Sequence, residues 1–265
     1  MRYRFLLSPR WLLGHVAVVA IAVLFVNLGV WQLRRLDERR EANALITERL
    51  AAPERPLDEV LAVDGGDPRA LAYRRVWVTG RYRPAEEVLI SPRSHNEEPG
   101  HHVVTPLVTD GGRAVLVDRG WVPFPLDDPP VSRAAPPAGA VTVKGVLLPT
   151  ETAHRYGSRQ AGGPRLTFLS AVDVGRLQPQ VSEPLHPFSL LLGTQRPPNP
   201  GELPRTPPLP DLTEGPHLSY AIQWFAFTLI GLVGYPLLIR KSLRAGLEAP
   251  AGEPEPVAAS PGPSG

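Results

Sequence analysis

Cysteine is absent from the 265 residues, so disulfides, thiolate nucleophiles and thiolate metal sites are all excluded. Met1 is the sole methionine, which leaves the chain without the soft sulfur ligands of a copper carrier. Charge is scarce as well. With 20% charged residues and a net charge of +2, and with no long basic run carrying interleaved aromatics, nothing points to a nucleic-acid partner. No G-x-S-x-G, Walker A, dinucleotide fingerprint, H-E-x-x-H or C-x-x-C is present, so the common catalytic constellations are missing.

What the chain has instead is two long apolar runs. Trp11 to Trp31 and Leu218 to Ile239 are each long enough to cross a bilayer, since roughly 20 residues at 1.5 Å each span the hydrocarbon core. The first run is too long for a cleaved signal peptide and no small-x-small site follows it, so an uncleaved anchor is expected. No Arg- and Ser-rich organelle presequence precedes the run, which favours a bacterial protein. Arg240, Lys241 and Arg244 follow the second run, while Glu202, Asp211 and Glu214 precede it. The positive-inside rule then places both termini in the cytoplasm and the middle of the chain outside it, in a multi-pass protein of the plasma membrane. Arg34, Arg35, Arg39 and Arg40 would lie outside, offset locally by Asp37, Glu38 and Glu41.

Between the runs, residues 32–52 are expected to extend the first span as a helix, ended by Pro53 and Pro56. A Gly-rich turn from Asp64 to Pro68 precedes short β-branched segments at Arg75–Tyr82, Glu87–Ile90, His102–Val108, Ala114–Val122 and Val141–Leu148. The DGG at 110–112 marks a hairpin. A helix is expected around Ser170–Leu177, then a last strand near Phe188–Leu192. Connections this short leave no room for crossover helices, so the sheet should be antiparallel, either open or closed as a small barrel. The expected class is an α+β membrane protein. Two transmembrane helices, 11–31 and 218–239, flank an extracytoplasmic β-rich domain over 53–195 with one or two helices. A Pro-rich surface loop at Pro123–Pro137, a Pro-rich tether over 196–216, and a basic flank with a disordered tail over 240–265 complete the chain.

His95, Glu97, Glu98, His101 and His102 crowd one loop, open to two readings: a metal site, or a solvated hairpin tip. The spacing matches no standard ligand set, and adjacent strand histidines face opposite ways, so the tip is preferred and no metal is expected. Asp118 and Arg119 read as a strand-end ion pair or as catalytic groups, the former preferred. His217, Tyr220 and Trp224 share one helical face at the start of the second span. They form either an interfacial aromatic belt or a haem site with an imidazole ligand. His15 lies near the other end of the first span and cannot share an iron with His217, because the residues from His15 to Trp31 already rise about 24 Å. Trp31 and Gln32 arrive at the level of His217. Asn27 is expected to find a partner on the second helix, and Gly231 and Gly234 to permit close helix approach.

LGVWQLRR at 28–35, RRVWVTGRY at 74–82, PGHHVVTPL at 99–107, VLVDRGWVP at 115–123 and PHLSYAIQWFAF at 216–227 occur in an order, and with a two-span layout, that resembles the surfeit-locus family of cytochrome c oxidase assembly factors. Asp37 and Glu38 depart from the family's usual pattern after Trp-Gln, and Asp118 replaces the commoner Asn before Arg-Gly-Trp. The resemblance implies a non-enzymatic role in maturing haem–copper oxidase, handling haem a for the catalytic subunit in company with the haem a synthesis machinery. His217 is then the candidate axial ligand, with Trp31, Gln32, Tyr220 and Trp224 shaping its pocket. Arg119, Gly120 and Trp121 match a family motif whose expected role is structural. The alternatives are a scaffold that stabilises an oxidase intermediate without haem, and a membrane-anchored hydrolase using the His-rich loop.

Overall fold

The computed structural model describes residues 4–64, 67–152, 159–160 and 165–248. They fall into two compact units, one drawn from Met1–Glu41 and Thr213–Gly265 and the other from Ala42–Leu212.

The first unit is a helix pair. Helix α1 runs unbroken from Pro9–Ala51, 43 residues or about 64 Å at helical rise, roughly twice the hydrocarbon thickness. Its covered positions recur at 14, 18, 22, 25, 29, 32 and 36, steps of three or four that keep one face on a partner helix. The partner is the last helix, His217–Glu248 (named α5 in chain order). The two run antiparallel: Gln32 meets His217, Phe25 meets Trp224, and His15 meets Tyr235. Both are long and apolar enough to cross a membrane.

In the second unit a two-residue strand β1 (Arg55–Pro56) precedes α2 (Leu57–Asp64) and α3 (Pro68–Leu71), neither of which was anticipated; Gly65 and Gly66 lie outside the described residues. Then follow β2 (Arg75–Tyr82), β3 (Val88–His95), β4 (Glu98–Thr109), β5 (Ala114–Pro123), β6 (Val141–Pro149), β7 (Arg159–Gln160) and β8 (Leu166–Leu169). Helix α4 (Val174–Leu177) and β9 (Leu185–Arg196) complete it. The five central strands stand where their patterns put them. The expected helix shrinks to α4, four residues capped by Asp173, whose carboxylate accepts from Arg176 N.

The sheet is mixed, not antiparallel. Strand order is β1-β2-β6-β9-β5-β4-β3-β8-β7, with parallel pairings β1–β2, β3–β8 and β5–β9. Short connections make β3–β4 and β4–β5 antiparallel. The parallel pairs join strands separated by intervening elements, which here serve as the crossovers. Strand β2 also pairs with β4 through Gly80, Arg81 and Tyr82, so pairing runs from β2 through β6, β9, β5 and β4 back to β2.

Strand β5 is buried along almost its whole length and β4 through its middle, whereas β2 alternates between exposed and covered. Leu107, Val117, Val143, Leu147, Phe188 and Leu190 lie in one core cluster; at roughly 1.5–3 kcal/mol per buried large side chain, burial of this kind supplies the domain's main stabilisation. A second cluster gathers Val88, Ile90, Leu116, Leu169 and Leu177 under α4.

Candidate functional site

His217 opens α5, and side chains of α1 hold both the histidine and the segment before it. Arg40 grips Glu214 with two hydrogen bonds of 2.9 Å, and this pairing holds the Glu214 carboxyl below the usual carboxylate range. Arg39 Nε donates to Thr213 O at 3.1 Å. The third contact reaches the histidine itself: Nδ1 lies 2.8 Å from Gln32 Oε1. Gln32 is only 9% exposed. Of the expected group, the structure thus brings Gln32 to His217 directly. Trp224 sits one helical turn below Ala221 and packs on Phe25 (centroids 5.3 Å apart) and Phe227. Trp31 and Tyr220 remain 52% and 45% exposed, and among the described residues neither ring has an aromatic partner. The seam takes Gln32 inward, and the adjacent residue, about 100° around the helix, turns outward.

At the far end of the pair, Tyr235 Oη and His15 Nδ1 are 2.6 Å apart, and His15 Nε2 is 3.2 Å from Leu6 O. Both ring nitrogens of His15 are engaged. His217 differs: with Nδ1 bound to Gln32, Nε2 has no hydrogen-bond partner among the described residues.

Two expectations for the helix pair are corrected. Asn27 does not reach the second helix; its amide is exposed and donates to Val23 O one turn back. Gly231 and Gly234 do not make the close approach, since a Cβ at either would meet nothing within 4 Å. They open an apolar cavity of about 310 Å³ lined by Val18, Ala22, Phe25 and Phe227. The close approach is at Gly29, where a Cβ would come 2.6 Å from the Phe225 ring.

In the β-rich unit, Asp118 and Arg119 do not pair with each other. Successive strand residues point to opposite faces. Asp118 bonds to His102 Nδ1 at 2.8 Å and accepts from Gly120 N, beside a cavity of about 280 Å³. Arg119, fully buried, pairs with Glu87 at 3.3 Å, donates to Ala134 O, and lies over the Tyr82 ring. Glu87 also accepts from Thr105 Oγ1 and Val131 N. Burial raises the Glu87 carboxyl and lowers the Arg119 guanidinium, each against the pull of its partners. The run Pro123–Pro137 is therefore pinned from within at Val131 and Ala134, not simply a surface loop. Gly120 has φ +121°, and a Cβ there would fall on the Arg205 carbonyl. That contact lets Arg205 bridge Trp121 through paired backbone bonds and set its guanidinium over the indole.

The His-rich loop divides. Asn96 and Glu97, both with positive φ, form the β3–β4 turn. His101 and His102 are buried on opposite faces, His101 against Phe124 and Phe168, so the solvated tip ends before them. Among the described residues no three His, Cys, Asp or Glu side chains gather as a metal site.

The Arg40–Glu214 clamp, Gly29 and the Glu87 partner of Arg119 were not foreseen. Their partners lie far away in sequence, and no local spacing signals them.

The SURF1 family model matches residues 19–229. A SURF1-like protein of Mycobacterium tuberculosis is 31% identical over 263 residues, covering 96% of this chain and 93% of the relative. A SURF1-like protein of Caenorhabditis elegans is 30% identical over 169 residues, 56% of this chain and 52% of the relative. The yeast protein named cytochrome oxidase assembly protein SHY1 is 33% identical over 104 residues, 39% of this chain and 26% of its own length. With the match covering most of the first helix, the start of the last and all of the sheet between them, this chain belongs to the SURF1 family.

Proposed function

We propose that the chain assists the assembly of cytochrome c oxidase by holding haem a at His217 for transfer to the catalytic subunit. Membership of the family and likeness to the yeast assembly protein support the role in oxidase assembly. One observation carries the haem reading: at the end of an apolar helix pair, His217 has one ring nitrogen tied to Gln32 and the other unpartnered. The donor chemistry fits, because a neutral imidazole is a common axial ligand of haem iron. Haem a, when bound, would supply an iron atom that accepts one such nitrogen. Gln32 orients the ring, the Arg40–Glu214 clamp fixes the segment before it, and Trp31 and Tyr220 offer exposed aromatic faces to a macrocycle. No bond to substrate is made or broken by the protein; a single axial bond suits a ligand that must be released again.

In this reading both helices span the plasma membrane, both termini are cytoplasmic, and the β-rich domain is extracytoplasmic. Arg119, Gly120 and Trp121 serve the domain's structure. The test is the haem a content of oxidase in cells lacking the chain, complemented with wild type or His217→Ala. Wild type restores haem a to the oxidase and the variant does not. Full restoration by His217→Ala would instead favour a scaffold that never touches haem.

A further inference from the structure

We infer that Gln32 is a positioning residue that holds the neutral His217 ring as the Nδ1–H tautomer, making Nε2 the donor atom, and that Gly215 keeps the approach to Nε2 clear. The inference rests on the haem-ligand reading of His217 and names the parts that make the ring competent for it. An amide oxygen can only accept, so Gln32 Oε1 at 2.8 Å from Nδ1 places the proton on Nδ1 and the lone pair on Nε2. Metal-ligating histidines characteristically donate their other N–H to such an acceptor, which fixes the ring and raises its basicity. The seam of α1 buries Gln32, so the acceptor is held in place before any ligand arrives.

His15 provides the internal contrast. Its Nε2 donates to Leu6 O and its Nδ1 accepts from Tyr235, the opposite tautomer with no nitrogen left over. Two histidines at the two ends of one helix pair are thus set for different work.

The second element is Gly215. Its φ of +72° is a conformation that side-chain-bearing residues rarely adopt, and a Cβ built there would stand 3.6 Å from both Cδ2 and Nε2 of His217. A side chain at this position would begin in van der Waals contact with the ring edge that carries the lone pair. The neighbouring Arg40–Glu214 pair keeps the segment in this path independently of Gln32.

The full chain, labelled with 15N-histidine and held in lipid nanodiscs, tests this at about pH 8, where an ordinary imidazole is neutral. The His217 signals are assigned by their loss in His217→Ala. Wild type should show a protonated Nδ1 and an unprotonated Nε2. Gln32→Leu should move the ring towards the Nε2–H form, while Gln32→Glu, which keeps an acceptor, should not. Gly215→Asn, chosen because asparagine tolerates positive φ, should leave the tautomer as in wild type. In haem a titrations of the same samples, Gln32→Leu and Gly215→Asn should bind roughly 10–100-fold more weakly, with Gln32→Glu retaining binding. A wild-type ring protonated on Nε2, a tautomer unchanged in Gln32→Leu, or undiminished haem affinity in both weakened variants overturns the inference. A wild-type ring protonated on Nδ1 that binds no haem a supports the tautomer assignment and overturns the haem reading.

Discussion

Gln32 accepts a hydrogen bond from the His217 ring at 2.8 Å across 185 positions of sequence. This bond pins one end of the helix pair, and the Tyr235–His15 bond pins the other. If the two pins have the roles assigned here, His15→Phe should weaken the helix pair by about 0.5–1.5 kcal/mol, the usual range for interhelical hydrogen bonds in membranes. It should leave the spectrum of bound haem unchanged. Thermal unfolding in detergent and optical spectra of one preparation check both halves.

The helix seam makes a prediction about glycines. Gly29→Val drives a branched side chain into the Phe225 ring and should cost about 1–3 kcal/mol. Gly231→Val, facing open space, should fall within about 0.5 kcal/mol of wild type. Thermal unfolding of the two variants side by side decides it, and a scaffold working through Gly231 and Gly234 would invert the order for oxidase assembly.

The buried Arg119–Glu87 pair should respond unequally to loss of either partner. Glu87→Gln strands a guanidinium that cannot shed its charge, and should cost about 3–5 kcal/mol. Arg119→Met leaves a carboxyl already raised by burial, which can take up a proton. A raised carboxyl stabilises the fold below its unfolded pKa, and that contribution fades as pH rises through the folded pKa. Arg119→Met should therefore lose less than Glu87→Gln, and should recover relative to wild type as pH falls from 7 towards 5. Denaturant titrations at about pH 5 and 7 read both effects.

His186 gives a pH dependence of the opposite sign. Burial against Phe188, helped by Arg113, pushes its pKa down to about 4. A depressed imidazole contributes stability above its unfolded pKa, and that contribution is lost as pH falls through the folded one. Relative to His186→Leu, wild type should lose on the order of 2–3 kcal/mol between about pH 7 and 4. Parallel unfolding curves of the two proteins across that range test it.

The legible parts of this fold are those written in local pattern. The apolar runs marked both helices, and β2 was delimited to the residue because Arg75–Tyr82 alternates between turn signals. Strands β4 and β5 were legible as β-branched runs, and the Asp-Gly-Gly between them as a hairpin turn. What escaped depends on distant partners. Nothing near Leu185 announces that β9 lies parallel to β5, and nothing near Glu87 announces Arg119. Two-residue strands such as β1 and four-residue helices such as α3 are too short to carry a period. At the candidate site, His217, Gln32 and Trp224 were legible as residue types on the two apolar helices. Which of them touch was not, since a one-residue step along α1 separates the inward Gln32 from the outward Trp31.

The most direct test of the central claim is an optical and redox spectrum of the purified protein, co-produced with the haem a synthesis machinery, beside His217→Ala. The account predicts a haem a spectrum in wild type that disappears in the variant. A colourless wild-type protein, or a haem spectrum indifferent to the loss of His217, would contradict it.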